Sequence, residues 1–268
     1  MRFDPVSVRR KVLEMAYSGG TVHIACAFSI VELLTVLYRN HLRFPGNDPD
    51  SPGRDYLLLS KGHGVMAQYA CLHELGWLSD QQLQNYFRNG TDLKGLSDAH
   101  VRGLEVSSGS LGHGFSIGVG ISLGLKRQGA HQKVFIVVGD GELNEGPNWE
   151  AALFAAHHQL DNLMLVVDVN GFQAMGKTDE VMSLGDLPAK LAAFGFETAC
   201  VDGHDEHSID QAIRSLWATG SGRPKALLAT TVKGKGVSFM ESDNRWHYTR
   251  LDEPTFQQAM ASLTALRA

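Results

Sequence analysis

The stretch from residue 134 to residue 172 constrains the fold of this chain more than any other. Two short apolar runs, Val134–Val138 and Leu163–Val167, predict buried parallel strands, because strands covered on both faces carry continuous apolar residues. Trp149–Leu160, between them, predicts a helix. This βαβ unit and the strand–helix alternation elsewhere predict an α/β fold. We expect a doubly wound, mostly parallel sheet with helices on both faces, as a single domain over residues 1–268.

Polar residues follow both of these strands. Gly139-Asp140-Gly141 comes after the first strand, and Asn170 comes after the second, thirty positions beyond Asp140. The carboxyl ends of parallel strands form the crevice where such sheets bind ligands, so these side chains should meet there. Carboxylate and amide oxygens suit Mg²⁺, and the glycines allow close approach to a phosphate. A helix cap and a turn residue would explain Gly-Asp-Gly alone, but not an asparagine after the very next strand.

Composition narrows the functional classes. With 43% hydrophobic residues, the 268-residue chain can bury a core, and its net charge of −5 argues against a general nucleic-acid surface. The three cysteines, Cys26, Cys71 and Cys200, are odd in number and lack a paired spacing, so a disulfide framework is not expected. No secretory signal opens the sequence, and no apolar run approaches the ~20 residues of a membrane span. We therefore expect a cytoplasmic protein that binds neither nucleic acid nor membrane.

Further elements follow from periodicity and from capping residues. The predicted helices are Pro5–Ser18, Ser29–Tyr38, Gly64–Leu75, Ser79–Arg88, Phe115–Gln128, Leu187–Phe194, Asp205–Thr219 and Glu253–Leu266. The predicted strands are Tyr56–Leu59, Leu104–Val106, Glu197–Val201 and Lys225–Thr231.

Two of these strands lead into basic loops. Lys61 and His63 follow Tyr56–Leu59, at a strand end that opens a helix, which suits diphosphate binding. Lys233 and Lys235 follow the last strand in a Lys-Gly-Lys-Gly run. That run could cradle a phosphate, but two solvated lysines in a glycine loop are the commoner case.

Several motifs together resemble one family. GDGELNEG at residues 139–146, followed by Glu150-Ala151 and then by Asn170, resembles the Mg²⁺–diphosphate motif of thiamine-diphosphate enzymes and is most similar to transketolase. SKGH at residues 60–63 and SSGSLGHG at residues 107–114 resemble further transketolase motifs. The segment around His23 is also similar, although Ala25-Cys26-Ala27 replaces its usual glycine-rich run.

The resemblance implies cofactor and metal ligands. Mg²⁺ would be held by Asp140, Asn170 and the main-chain carbonyl of Phe172. Thiamine diphosphate would contact His63, Gly109, Ser110, Leu111, Gly139, Gly141, Glu142, Asn170 and His247.

The resemblance also implies catalytic residues. His23 and His100 would hydrogen-bond oxygens of a donor sugar, while His63 and His247 would serve proton transfer or charge stabilisation near the cleaving bond. Glu145 would lie in an acidic network between subunits.

A partner chain is implied as well. In transketolases the glutamate that activates the cofactor belongs to a second, pyrimidine-binding domain, which a C-terminal domain follows. The resemblance therefore implies the diphosphate-binding, N-terminal subunit of a split transketolase, assembled as α₂β₂ with active sites between unlike chains. With that partner the chain would transfer a two-carbon ketol unit from a ketose phosphate to an aldehyde acceptor.

Two alternatives stay open. The α subunit of a 2-oxo-acid dehydrogenase shares the Gly-Asp-Gly and Asn pattern, but SKGH, SSGSLGHG, His23 and His100 fit transketolase better. A non-catalytic module that only binds thiamine diphosphate is the other alternative, and four matched histidines speak against it.

Overall fold

A five-stranded parallel sheet organises the part of the chain that the computed structural model describes, residues 2–265. Its strands are β1 (Tyr56–Leu59), β2 (Val134–Gly139), β3 (Leu163–Val169), β4 (Glu197–Asp202) and β5 (Lys225–Thr230). They lie side by side in the order β1-β2-β3-β5-β4, and every neighbouring pair is parallel. Two-residue antiparallel ribbons join Thr21–Val22 to Thr249–Arg250 and Phe172–Gln173 to Gly176–Lys177.

Helices cover both faces of the sheet. In chain order they are α1 (Pro5–Gly19), α2 (Ile24–Phe28), α3 (Val31–Val36), α4 (Val65–Leu75), α5 (Asp80–Gln84), α6 (Gly114–Arg127), α7 (Gly146–His157), α8 (Thr178–Met182), α9 (Leu187–Ala193), α10 (Glu206–Ala218) and α11 (Glu253–Ala265). None of the helices within residues 2–265 combines the length and the apolarity needed to cross a membrane.

The central strand β3 shows why its sequence is continuously apolar. Met164 and Val166 join the core under α1, α4 and α10, whereas Leu165 and Val167 join the core under α6, α7 and α9. Successive strand residues point to opposite faces, so a strand with helices on both sides needs apolar residues at every position. This confirms the predicted doubly wound α/β fold.

One predicted strand and several boundaries were wrong. Leu104–Val106 forms no strand, because the Leu104 N–H bonds to Val101 in a turn and the Glu105 side chain pairs with Arg54. The predicted helix Ser29–Tyr38 is the shorter α3, Val31–Val36, followed by a π-helical turn at Leu37–His41, and a separate helix, Ile24–Phe28, precedes it. Ser29 lies between these two helices, and its hydroxyl donates a hydrogen bond to Asp168 Oδ2 at 2.8 Å.

Other corrections concern helix ends. The predicted helix Ser79–Arg88 is only Asp80–Gln84, capped by a reciprocal pair of hydrogen bonds between Ser79 and Gln82. The predicted helix Trp149–Leu160 starts earlier, at Gly146, because Pro147 is suited to a first helical turn. The predicted helix end Leu266 lies outside the described residues.

Candidate active site

Loops from the carboxyl ends of β1, β2, β3 and β5 meet around one cleft of about 610 Å³. It collects most of the site residues that the sequence predicts: His23, His63, Gly109, Leu111, Gly139, Asp140, Gly141, Glu142, Glu145, Asn170, Phe172 and His247. Cys26 and Lys61 also line it. The strand-end argument thus places this crevice correctly.

Asp140 lies buried on the floor of the cleft. Its Oδ1 accepts from the Gly141 N–H at 2.8 Å, and its Oδ2 accepts from the Gly171 N–H at 2.7 Å. Burial, together with the neighbouring Asp168 carboxylate, raises the pKa of Asp140 to about 6. A carboxylate held in this environment gains from a cation beside it.

Asn170 is oriented by its neighbours. Its Nδ2 donates to Asp168 Oδ2 at 2.7 Å, while its Oδ1 accepts from the Phe172 N–H at 3.0 Å. These two contacts fix which end of the amide is the oxygen.

The residues present fit a magnesium ion. Asp140, Asn170 and the Phe172 carbonyl offer one carboxylate, one amide oxygen and one main-chain oxygen, all hard donors. Within residues 2–265 no three His, Cys, Asp or Glu side chains converge to hold a metal. A metal in this cleft would therefore complete its shell with phosphate oxygens and water, as Mg²⁺ commonly does.

Asp168, near the end of β3, connects four parts of the site. Its Oδ2 accepts from Lys61 Nζ at 2.5 Å and from the Ser29 hydroxyl, and its Oδ1 accepts from the Thr231 hydroxyl. Burial opposes ionisation of Asp168, but the Lys61 ammonium and these hydrogen bonds outweigh it and lower the pKa of the carboxyl. Lys61 therefore forms a buried ion pair with Asp168.

Glu142 braces three loops. Its Oε1 accepts from the Gly112 N–H at 3.0 Å and from the Ser60 hydroxyl, and its Oε2 accepts from the Gly139 N–H at 3.3 Å. Burial raises the pKa of this carboxyl. With both oxygens engaged inside the protein, Glu142 supports the cleft wall rather than offering a free carboxylate to a ligand.

Three histidine rings form a cluster in the cleft. The ring centres of His23 and His63 are 5.3 Å apart, and those of His23 and His247 are 5.4 Å apart. Burial and the Lys233 ammonium lower the pKa of His23 to about 4 and that of His247 to about 3, and burial lowers the pKa of His63 as well. All three rings are neutral near pH 7 and can each donate one hydrogen bond.

Lys233 is the residue that sequence reasoning missed. Its side chain is only 1% exposed, and its Nζ lies 2.9 Å from His247 Nδ1 and 2.6 Å from Asn244 Oδ1. The expectation of a solvated lysine is wrong here, although it suits Lys235, whose side chain reaches the surface. Both lysines have the same local pattern, so only tertiary packing distinguishes them.

Two predicted residues are not brought into the cleft. The His100 side chain is 91% exposed and its Nδ1 contacts Asp98 Oδ1 at 2.7 Å. Ser110 lines a neighbouring surface depression together with His113. Neither position was distinguishable from the cleft residues by motif alone.

The sequence matches one protein family over nearly its whole length. Residues 7–264 match the family described as "Transketolase, thiamine diphosphate binding domain". An apulose-4-phosphate transketolase subunit from Actinobacillus succinogenes is 37% identical over 244 residues, covering 90% of this chain and 88% of that protein. The 6-deoxy-6-sulfo-D-fructose transketolase subunit SqwG from a Clostridium species is 36% identical over 257 residues, covering 96% of this chain and 93% of that protein.

Longer proteins match over part of their length. A transketolase from Pongo abelii is 30% identical over 260 residues, which cover 96% of this chain but 41% of that protein. Among solved structures, transketolase from Campylobacter jejuni superposes with a TM-score of 0.89 at 25% identity, covering 98% of this chain and 42% of that one. Transketolase from Leishmania mexicana superposes with a TM-score of 0.88 at 26% identity, covering 97% and 40%.

Proposed function

This chain belongs to the transketolase family as its thiamine-diphosphate-binding domain, and from that premise we propose that it is the N-terminal subunit of a two-chain transketolase. With a C-terminal partner subunit, it transfers a two-carbon ketol unit from a ketose donor to an aldehyde acceptor. The observation that carries this proposal is the cleft, which joins hard metal ligands and neutral histidines to an open apolar rim. We propose that the chain forms a single domain.

Different residues of the cleft are proposed to bind the metal ion and the diphosphate. Asp140, Asn170 and the Phe172 carbonyl are proposed to hold Mg²⁺. Lys233 Nζ contacts Asn244 and His247, two neutral side chains, and we propose that its positive charge acts on the diphosphate from beside His247. His63 adds a neutral N–H donor beside it.

Other residues would handle the sugar. When bound, thiamine diphosphate supplies the nucleophilic carbon for breaking and forming the carbon–carbon bond. We propose that His23 and His247 hydrogen-bond donor oxygens from one side of the cleft. The sugar contact expected of His100 stays a prediction, because that side chain lies outside the cleft.

The rim of the cleft supports a partner chain. Met175 is 72% exposed and Met182 is 54% exposed, and both line the cleft with Leu96 and Val181. Contiguous apolar groups beside a binding site mark an interaction surface. We propose that the partner's pyrimidine-binding domain covers this rim and excludes water from the reacting atoms.

A second surface supports an α₂β₂ assembly. Helices α6 and α7 pack together and expose Ile117, Leu153 and Phe154, with Leu153 62% exposed. This exposed face includes α7, the helix that follows Glu145 at its N-terminal end. We propose that it pairs with a second copy of the assembly and that Glu145 contributes to an acidic contact between copies.

The decisive experiment separates the chain from its partner. The purified chain is incubated with Mg²⁺, thiamine diphosphate and hydroxypyruvate, a simple two-carbon donor, and loss of the donor is followed with and without the partner subunit. We expect turnover only with both chains. Turnover by this chain alone would refute the two-chain proposal, and cofactor binding without turnover in the complete mixture would identify a non-catalytic module.

A further inference from the structure

Two side chains converge on one nitrogen of His247. Lys233 Nζ lies 2.9 Å from His247 Nδ1, and Cys26 Sγ lies 3.6 Å from the same atom. The other ring nitrogen, Nε2, has no hydrogen-bond partner among residues 2–265. The ring lines the cleft, so Nε2 is the nitrogen left for a bound molecule.

Lys233 can act only as a donor towards His247. An ammonium group has three N–H donors and no acceptor. One donor is used by Asn244, whose amide is oriented because its Nδ2 donates to the Ala174 carbonyl at 3.1 Å and its Oδ1 accepts from Lys233 at 2.6 Å. A second donor then points at His247 Nδ1.

Cys26 is a donor as well. The side chain is buried, and burial raises the pKa of its thiol, so the sulfur keeps its proton. A thiol is a weak donor, and His247 Nδ1 is the nitrogen within its reach. Cys26 also stands in the Ala25-Cys26-Ala27 segment where this chain departs from the usual glycine-rich run.

We propose that Lys233 and Cys26 are positioning residues that hold His247 in the tautomer with its proton on Nε2. Two donors on Nδ1 require that nitrogen to be the acceptor, so the proton of a neutral ring must sit on Nε2. His247 then presents an N–H donor to the cleft and has no lone pair there with which to accept a proton. This inference rests on the proposed function. In that setting the Nε2–H of His247 stabilises negative charge on a substrate oxygen, and His247 cannot act as a base in the ground state.

The surroundings of His247 keep the ring neutral over the working pH range. It faces the ammonium groups of Lys233 and Lys61, the neutral rings of His23 and His63, and the Cys26 thiol. The contacts of its ring with described residues are with Lys233, Cys26, His23 and His63, none of which is a carboxylate. A proton on Nδ1 would confront the Lys233 ammonium directly, so the tautomer with the proton on Nε2 should persist for as long as Lys233 stays protonated, and burial lowers the pKa of Lys233 below its usual value.

The direct test is nitrogen NMR on the full chain labelled with ¹⁵N-histidine, at pH 7. Protonated and unprotonated ring nitrogens differ strongly in ¹⁵N shift, and the His247 signals are those lost in His247→Gln. We expect Nδ1 unprotonated and Nε2 protonated. A protonated Nδ1 overturns the proposal whether or not the chain proves to be a transketolase subunit.

Two lysine variants test the positioning role. Lys233→Met removes the stronger donor, so we expect the His247 signals to move towards an average of both tautomers, and further so when Cys26→Ala is added. Lys235→Met is the matched control, because Lys235 belongs to the same loop but its side chain faces Glu241, and it should leave the His247 signals unchanged. Unchanged signals in Lys233→Met would overturn the role of Lys233.

Activity of the assembled two-chain enzyme provides the second readout. His247→Gln keeps a side-chain N–H donor, so kcat with hydroxypyruvate should stay within about tenfold of wild type, whereas His247→Leu should lose about 100-fold, as for other lost oxyanion donors. Equal losses in both variants would contradict the donor role. The KM for the donor should change less than kcat in each case.

Discussion

At the scale of single residues, Asp168 is the carboxylate on which the site depends, although it is buried beneath the cleft. It accepts hydrogen bonds from Ser29, Lys61, Asn170 and Thr231, which belong to four separate segments. Its negative charge also balances the buried Lys61. Asp168 therefore sets the orientation of the Asn170 amide and the relative position of the loops.

Replacing Asp168 should be costly. Asp168→Asn leaves Lys61 buried without its counter-charge, and breaking a buried pair in this way typically costs about 3–5 kcal/mol of unfolding free energy. Chemical denaturation of the two proteins measures this. Asp243→Asn is the control, because its partner Arg245 lies at the surface. Its free energy of unfolding should not change measurably. Equal stability of Asp168→Asn and wild type would show that the pair is not a structural requirement.

The lowered pKa of Glu32 predicts that the stability of the protein falls at acidic pH. Burial opposes its ionisation, but Arg9 and His204 outweigh burial and lower its pKa from 4.5 to about 2. A lowered pKa adds stability that is complete above pH 4.5 and is lost as the pH falls towards 2. The lowering of the Glu32 pKa corresponds to about 3 kcal/mol of unfolding free energy. Urea midpoints measured between pH 6 and pH 2 should fall more steeply for wild type than for Glu32→Gln, and parallel curves would contradict the assignment.

Prediction from sequence succeeds and fails for clear reasons at this scale. Asp140 and Asn170 were predictable because each directly follows a buried strand, and strand ends share one edge. Lys233 was not, because its local pattern is the same as that of Lys235 and only the fold turns one of them inward. The exposed position of His100 could not be read from its motif either.

At the scale of elements, two of the four glycines in helix α6 have opposite roles. A Cβ at Gly118 would lie 2.5 Å from Ile136 Cδ1, whereas a Cβ at Gly124 would meet nothing within 4 Å. The small residue at Gly118 therefore lets α6 approach β2 closely, and Gly124 only lowers helix stability.

This pair gives a matched prediction. Gly118→Ala should reduce the free energy of unfolding by about 1–3 kcal/mol through overpacking. Gly124→Ala should raise it by up to about 1 kcal/mol, because alanine favours the helix. Thermal melts of the two variants under the same conditions check both signs, and a stabilised Gly118→Ala would mean that Ile136 repacks freely.

Elements with strong apolar periodicity were predicted nearly to the residue. Strand Tyr56–Leu59 agrees at both ends, since turn-forming residues flank it. The start of α2 at Ile24 was missed because His23 provides no side-chain cap, so nothing local marks the boundary. Leu104–Val106 failed because a three-residue apolar run is too short to determine a strand, and side-chain contacts decided its course.

At the scale of the whole molecule, the exposed face of α6 and α7 predicts how copies assemble. Leu153→Asp places a charge at its most exposed apolar position. We expect sedimentation of the mixture with the partner subunit to shift from α₂β₂ to αβ, while the melt of the chain alone stays the same because Leu153 packs little. Leu153→Met, which keeps an apolar side chain, should assemble normally. An unchanged α₂β₂ in Leu153→Asp would place the contact elsewhere.

The overall architecture was the easiest level to predict, since strand and helix alternation leaves few topologies. The strand order was not predictable, because nothing local shows that β5 inserts between β3 and β4. The shape of the cleft rim was also beyond the sequence, since the exposure of Met175 and Met182 depends on how the 172–182 segment folds back.

The strand order determines when, during synthesis on the ribosome, the sheet can be completed. Strand β4 leaves the ribosome before β5, yet its neighbour in the sheet is β5, so it must wait for residues 225–230 before it can join. Until then the edge of β3 stays open to pairing with other nascent chains. Thr231, Lys233 and His247 emerge immediately afterwards. Closure of the sheet and completion of the cleft are therefore nearly the same event, and a chain cut short before residue 225 has an unprotected strand edge and lacks Lys233 and His247.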